Sequence, residues 1–209
     1  MSASRLVSIV STQGREITAR YCVCTVPLGV LKSLPPDWIQ PPLPARVKGS
    51  IERLQMCKYN KVFLHVDPDV LAARPTWSFI EDDIFWQGFS YYQLTGKPVY
   101  VLMSIDERVE TMSDSYIKEQ AMSAAGFQKH HVRACHITRW CSVPWSQGAY
   151  SYVPTECELD DIDVFTTEMK DRRVRFAGEH CDEEYQGSLH GAYDSGVQTA
   201  NAILDCSAD

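Results

Sequence analysis

Alternating hydrophobic and polar positions predict β-strands at several places along the chain. Residues 6–10 and 16–20 alternate on either side of Gln13-Gly14, which predicts a hairpin. Residues 58–66 alternate over a longer run, with Lys61 and Phe63 on one face of the strand and Asn60 on the other. Residues 21–26 are mostly apolar and end at a proline, which is typical of a strand buried on both faces. Further strands are predicted at residues 77–92 (strand, loop, strand), 99–105, 132–140, 148–153 and 173–177.

Helical spacing of apolar residues predicts a smaller number of helices. They cover residues 45–54, residues 114–125 after a Ser113 cap, and a terminal helix over 188–203. A proline-rich segment at 35–44 interrupts the chain, and the acidic residues 157–163 indicate a solvated loop. The mixed order of elements predicts an α/β (mixed α+β) fold.

Composition and charge narrow the class of protein. Hydrophobic residues make up 44% and charged residues 22%, as in ordinary globular domains, and the net charge of −7 argues against a nucleic-acid binder. The sequence contains no apolar run long enough for a membrane helix and no signal-peptide core, so no membrane association is expected. The eight scattered cysteines suit reduced thiols inside a cell, without fixing the compartment. Cys22 and Cys24 read as core thiols, and no metal site is predicted.

The residues with the clearest chemical pattern lie near the C-terminus. A predicted strand ends in Gly178-Glu179, and a helix then begins among small residues at Gly187-Ser188-Leu189. The N–H groups of a helix start favour an electron-rich ligand, so this arrangement suits a flat cofactor lying close to the backbone. From spacing alone, a strand and helix that pack together without a ligand are an equally good interpretation.

The segment from Arg175 to Leu204 resembles the C-terminal flavin-binding signature of the flavin-containing amine oxidase family. The pattern is closest to the polyamine oxidases and related to the lysine-specific histone demethylases. This resemblance implies FAD as cofactor, with Gly178 and Glu179 beside its ribityl and diphosphate groups. It also implies that the backbone at Leu189 contacts the flavin carbonyl.

Other motifs extend the same resemblance along the chain. The segment containing Thr25-Val26-Pro27-Leu28-Gly29 and the Pro41-Pro42-Leu43-Pro44 run both match the family. The resemblance implies that Val7 meets the adenine side of FAD. It implies that Lys61 holds a water near the reactive flavin nitrogen.

The implied substrate site is aromatic. By resemblance, Trp140 packs near the flavin, and Tyr150 forms one wall of a cage for the substrate amine, which its ring quadrupole favours. Ser188 stands where some polyamine oxidases have an aromatic second wall, while the demethylase-like branch has a small hydroxyl residue. The catalytic residues implied are therefore Lys61, Tyr150 and Trp140, and Ser188 is implied in both cofactor and substrate binding.

One part of the family pattern is missing from this sequence. No two glycines are two residues apart, so it contains no Gly-x-Gly-x-x-Gly nucleotide-binding turn. We therefore expect a partial FAD-binding domain of amine-oxidase type with a mixed-sheet substrate domain, and no N-terminal Rossmann unit. The expected division is flavin domain at 1–34 and 171–209, with the substrate domain at 35–170.

The function implied is oxidation of a polyamine-like amine to an imine by oxygen, with release of hydrogen peroxide. Two alternatives remain open. The chain could be a truncated, non-catalytic remnant that acts as a binding or regulatory module. It could also be one subunit of a split enzyme whose N-terminal Rossmann half is a separate partner chain.

Overall fold

A computed structural model describes residues 6–206 as eleven strands and eight α-helices. The first five residues, for which no signal-peptide core is predicted, lie outside the described residues. The strands are β1 (Val7–Val10), β2 (Glu16–Ala19), β3 (Cys22–Cys24), β4 (Gln55–Met56), β5 (Asn60–Val66), β6 (Trp77–Phe79), β7 (Gln87–Ser90), β8 (Val99–Ser104), β9 (Val132–Ile137), β10 (Ser151–Tyr152) and β11 (Val174–Phe176). The helices are α1 (Leu28–Leu31), α2 (Ala45–Arg53), α3 (Pro68–Ala72), α4 (Tyr92–Thr95), α5 (Arg108–Thr111), α6 (Asp114–Ala124), α7 (Asp160–Thr167) and α8 (Leu189–Asp205). Single 3₁₀ turns lie at Lys129–His131, Trp140–Ser142 and Glu179–Cys181.

The chain forms two compact units. The discontinuous unit consists of Met1–Met56 with Tyr150–Asp209, and the inserted unit is Cys57–Ala149. The Ala149 N–H donates to the Cys57 carbonyl at 2.9 Å, so the two ends of the inserted unit are hydrogen bonded to each other. The predicted division at residues 34 and 170 assigned flavin and substrate regions, and that assignment stays a prediction; the compact units themselves divide at 56 and 149.

The inserted unit is built on an antiparallel sheet of five strands in the order β6-β7-β8-β5-β9. Alternation along β5 buries Asn60, Val62, Leu64 and Val66, as the sequence pattern predicts. The buried face packs against α6 through Ile117 and Ala121. The Ser113 hydroxyl accepts the Tyr116 N–H, which confirms the predicted helix cap.

The discontinuous unit contains three two-stranded sheets rather than one large sheet. Strands β1 and β2 pair antiparallel, as do β10 and β4, whereas β11 and β3 pair parallel. Its core lies between the sheet of β3 and β11 and the helices α1, α2 and α7. The combination of parallel and antiparallel strands with helices confirms the predicted mixed α/β class.

Two local predictions were wrong. Strand β3 is not buried on both faces, because a two-stranded sheet leaves one face open, and Val23 is 41% exposed. The acidic segment is not a loop throughout, because α7 begins at Asp160. Its apolar residues Ile162 and Phe165 are buried, and Asp161 accepts hydrogen bonds from Ser50 and Arg53 of α2. The long-range partners that stabilise this helix are not visible in its local sequence.

Helix α8 has two glycines in different environments. A Cβ at Gly191 would lie 2.3 Å from the Tyr185 carbonyl oxygen, whereas a Cβ at Gly196 would have nothing within 4 Å. The first glycine is therefore needed for close packing at the helix start, and the second only lowers helix propensity.

These two glycines give a matched prediction. Gly191→Ala should lower the free energy of unfolding by about 2 kcal/mol, because the backbone must move to accept the methyl group. Gly196→Ala should leave it unchanged or raise it by up to about 1 kcal/mol. Urea denaturation of both variants checks this, and equal effects at the two positions would contradict the packing described here.

His180 lies in the core of the discontinuous unit at 1% exposure, beside the Phe165 ring at a centroid distance of 5.2 Å. Its Nε2 has no hydrogen-bond partner among the described residues, and burial lowers the pKa of His180 from 6.5 to about 4. The folded state therefore favours the neutral ring. The resulting stability is fully present above pH 6.5 and is lost as pH falls towards 4.

We expect the wild-type chain to lose about 2 kcal/mol of stability from this ring between pH 7 and pH 5. His180→Leu should remove that part of the pH dependence, measured as urea unfolding across this range. His190→Leu, at an exposed position in the same unit, controls for loss of an imidazole. If both variants keep the wild-type pH profile, His180 is not the source of the acid sensitivity.

Candidate functional site

In the discontinuous unit, β11 ends at Phe176, Gly178 and Glu179 follow after one residue, and Leu189 begins α8. Gly178 has φ +148°, a region that L side chains rarely adopt, and a Cβ there would lie 2.9 Å from the His180 ring. The 3₁₀ turn at Glu179–Cys181 then redirects the chain after the strand. The predicted strand, turn and helix around Gly178-Glu179 are thus present in the structure.

The Glu179 carboxylate connects β10 to the turn before α8. One oxygen accepts the Ser151 N–H at 3.0 Å, and the other accepts the Ser151 hydroxyl at 2.7 Å and the Gly187 N–H at 2.8 Å. The Gln186 amide also donates to the Ser151 hydroxyl, at 3.0 Å. We call this set of contacts the Glu179 clamp. Ser151 was not predicted from the sequence as the partner of Glu179, because the two residues are 28 positions apart.

The start of α8 is held by its own cap. The Ser188 hydroxyl accepts the Gly191 N–H at 3.0 Å and donates to the Tyr185 carbonyl. Leu189 is 89% exposed, at the first position of a helix of 17 residues. The first amides of a helix have no partner within it and carry its positive dipole end, so Leu189 and His190 present donors suited to an electron-rich group.

Tyr150 lies close to this helix start. A Cβ at Gly187 would lie 3.0 Å from Cδ2 of Tyr150 and 3.2 Å from the Ser151 carbonyl oxygen. Gly187 also has φ +73°, a left-handed conformation that favours glycine. The half-buried Tyr150 ring thus packs directly on the turn that the Glu179 clamp holds.

Val7 lies at a separate cleft of the discontinuous unit. The cleft has a volume of ≈ 610 Å³, and Val7 lines it with Arg172, Arg173 and Val174. The Arg173 guanidinium lies 5.3 Å from the centroid of the Tyr21 ring, and Arg172 donates to the Pro42 carbonyl at 3.0 Å. The lining is mixed and also includes Asp171, and the two guanidinium groups suit an anionic group such as a phosphate.

The remaining predicted residues, Lys61 and Trp140, belong to the inserted unit. Lys61 is partly exposed on the open face of β5, with its ammonium 5.9 Å from the centroid of the Tyr59 ring. Trp140 is 42% exposed and begins a 3₁₀ turn. The strand predicted to reach Trp140 therefore ends earlier, because β9 stops at Ile137. The structure places these two on neighbouring segments of one unit, and places Val7, Tyr150, Gly178, Glu179, Ser188 and Leu189 in the other.

Residues 6–206 contain no group of three or more His, Cys, Asp or Glu side chains that could hold a metal ion. Within the same range, no helix combines the length and apolar character needed to cross a membrane.

A family model described as "Flavin containing amine oxidoreductase" matches residues 2–204. Lysine-specific histone demethylase 1 homolog 1 of Arabidopsis thaliana is 30% identical over 214 residues, with 94% of this chain and 25% of that protein covered. A possible lysine-specific histone demethylase 1 of Drosophila melanogaster is 29% identical, with 90% of this chain and 24% of that protein covered. This chain therefore spans about a quarter of the length of these relatives.

A solved structure of putrescine oxidase, described as wild type bound to putrescine, has the same fold over most of this chain. The TM-score is 0.78 at 15% identity, with 97% of this chain and 46% of that chain covered. The fold class predicted from sequence is confirmed by this likeness.

The residues present fit the cofactor of this family. Exposed amides at the start of α8 and a cleft with two arginines beside Val7 suit the electron-rich groups of a flavin nucleotide. The predicted resemblance is confirmed, since the family match extends over almost the whole sequence. The chain belongs to the flavin containing amine oxidoreductase family, and the cofactor that this membership implies is FAD.

Proposed function

We propose that this chain forms part of an enzyme that oxidises an amine to an imine, with oxygen as the electron acceptor and hydrogen peroxide as the second product. The observation that carries the proposal is the surface at the start of α8, where exposed amides, the Glu179 clamp and the Tyr150 ring lie together. FAD, when bound, would take up the hydride from the amine α-carbon and pass two electrons to oxygen.

The residues of this chain have separate tasks in the proposal. The first amides of α8 stabilise negative charge on the flavin ring, because they lie at the positive end of the helix dipole. The Tyr150 ring attracts the substrate ammonium through its face. Lys61 donates a hydrogen bond to a water near the reactive flavin nitrogen, and Trp140 shields the flavin from bulk water.

The substrate class that we propose is a polyamine-like amine. Polyamines are flexible cations, which the chain's net charge of −7 attracts over a distance, and an aromatic wall binds them without a defined side-chain pocket. The relatives named as lysine-specific histone demethylases support a second class, the methylated lysine of a peptide. Peroxide release with spermidine and with a dimethyl-lysine peptide distinguishes the two.

A second candidate function is favoured by the outer face of α8. Leu189, Tyr193 and Val197 follow one another at intervals of four residues and are 89%, 71% and 42% exposed. Such an apolar stripe suits contact with another polypeptide. In this second proposal, the chain is one subunit or a binding module, and it holds flavin only with a nucleotide-binding partner. A flavin absorption band from the purified chain without any partner would exclude that proposal.

Substitution of Lys61 tests the catalytic proposal. Lys61→Met should lower kcat for amine-dependent peroxide release by about 100-fold, because the water near the flavin loses its donor. Lys58→Met is the matched control, since Lys58 lies three positions earlier and pairs with Glu107 at 2.8 Å. Unchanged turnover in Lys61→Met would remove Lys61 from the mechanism.

Substitution of Glu179 separates a structural role from a direct cofactor contact. Glu179→Ala should lower the free energy of unfolding by about 2 kcal/mol, because three donors lose their acceptor, and should weaken FAD binding as the helix start loosens. Glu183→Ala, at an exposed position, should change neither property. Weaker FAD binding at wild-type stability in Glu179→Ala would mean that the carboxylate acts on the cofactor and not through the clamp. Urea unfolding and flavin fluorescence give the two readouts.

A further inference from the structure

A polar network lies beneath the predicted flavin-side residues of the inserted unit. The Glu110 carboxylate of α5 accepts hydrogen bonds from the Asn60 amide at 2.7 Å, the Cys141 N–H at 3.1 Å and the Ser142 hydroxyl at 3.0 Å. Its three donors come from two segments that lie 50 and about 31 positions away along the chain. One carboxylate therefore joins the first residue of β5 to the 3₁₀ turn that bears Trp140.

Asn60 links Glu110 to the backbone of Trp140 by a hydrogen bond, and to that of Lys61 through Thr138. It is fully buried, and its amide oxygen accepts the Trp140 N–H and the Thr138 hydroxyl, each at 3.2 Å. The same Thr138 hydroxyl accepts the Lys61 N–H at 2.8 Å, and the Thr138 N–H donates to the Lys61 carbonyl at 3.0 Å. Both ends of the Asn60 side chain are thus used, one towards Glu110 and one towards the Trp140 segment.

The chemistry of the partners fixes the direction of the Asn60 amide. Rotated by half a turn, its NH₂ would face the Trp140 N–H, and its oxygen would face the Glu110 carboxylate. Both contacts would be repulsive, so the network has one favourable arrangement. Burial alone would raise the pKa of Glu110, but the hydrogen bonds from Asn60, Cys141 and Ser142 outweigh it and hold the pKa below the usual value. The acceptor therefore stays ionised and strong at neutral pH.

The backbone that bears Trp140 is held by this network and by hydrogen bonds that its own carbonyl accepts from Ser146 and Gly148. Trp140 is 42% exposed, so burial alone does not hold its ring in place. The backbone on either side is instead held by Asn60, by Glu110 and by Arg139, which donates to the Met112 carbonyl at 2.8 Å and pairs with Asp114. An exposed functional ring on a short 3₁₀ turn requires such an external support.

We propose that Glu110 and Asn60 are positioning residues that hold Trp140 and the Lys61 backbone in the geometry needed at the flavin. The position of the Trp140 segment is set by contacts within this chain and does not depend on the cofactor. The consequence for catalysis rests on the proposed function, in which Lys61 and Trp140 act at the cofactor. Neither Glu110 nor Asn60 contacts the reacting atoms.

The first experiment measures backbone amide exchange by NMR in the full chain without flavin. Glu110→Ala should speed exchange of the Trp140 amide by at least about tenfold, although that amide does not contact Glu110 itself. Glu110→Gln should stay within about threefold of wild type, because its oxygen still accepts from Asn60 and Cys141 while its NH₂ donates to Ser142. Glu107→Ala is the matched control, because Glu107 is an exposed glutamate directly before α5. Its Trp140 amide exchange should also stay within about threefold of wild type.

Two outcomes overturn the proposal at this stage. Wild-type exchange of the Trp140 amide in Glu110→Ala would show that the network does not hold the segment. Equal acceleration in Glu107→Ala would show a general loosening of the inserted unit. If Glu110→Ala does not fold, Glu110→Asp gives the same test, because a shorter side chain cannot reach Asn60 and Ser142 together.

The second experiment measures amine-dependent peroxide release with FAD present. Glu110→Ala should lower kcat by at least about tenfold with KM within about threefold, and Glu110→Gln should restore most of kcat. Full activity in Glu110→Ala, with its Trp140 amide loosened, would overturn the catalytic part of the proposal. If the wild type releases no peroxide while Glu110→Ala still loosens the segment, the proposed function fails and the positioning role stands.

Discussion

The carboxylate of Glu179 is the interaction on which the surface at the start of α8 depends. Strand β10 has only two residues, and the turn before α8 is short, so neither is stable by itself. Glu179 accepts hydrogen bonds from Ser151 and Gly187 at once, which fixes both β10 and the turn. The positions of the Tyr150 ring and of the first amides of α8 depend on these two segments. The sequence resemblance placed this glutamate beside the cofactor. In the structure, its two oxygens accept three hydrogen bonds within the protein, from Ser151 and Gly187.

In the inserted unit, a short turn is likewise held by a glutamate carboxylate. A glutamate with three donors fixes a turn that carries an exposed aromatic ring, and a buried asparagine extends its reach to a neighbouring strand. In both units, a glutamate carboxylate organises short irregular backbone that hydrophobic packing does not hold. Partly buried carboxylates of this kind are costly to leave without hydrogen-bond donors, and this cost favours the observed arrangement.

Local sequence patterns were enough to predict most regular elements. The alternation along β5 and the Ser113 cap of α6 each predicted an element close to its observed bounds, because each depends on neighbouring residues. Helix α7 was missed, because its stability comes from partners more than 100 positions away, such as Ser50 and Arg53 bound to Asp161. A polar Asn60 among buried apolar positions of a strand was a usable signal for the Glu110 network, although nothing in the sequence identified Glu110 as its partner.

The way in which the inserted unit begins and ends has a consequence for how such chains can change. Cys57 and Ala149 are hydrogen bonded, and β4 and β10 pair directly outside them, with Met56 opposite Ser151. A segment whose ends meet can be exchanged without altering the distance that the surrounding chain must span. Selection or design could therefore replace residues 57–149 as a cassette, while the surface around Glu179 and α8 is retained. Such an exchange would alter one continuous stretch of the gene and leave residues 1–56 and 150–209 unchanged.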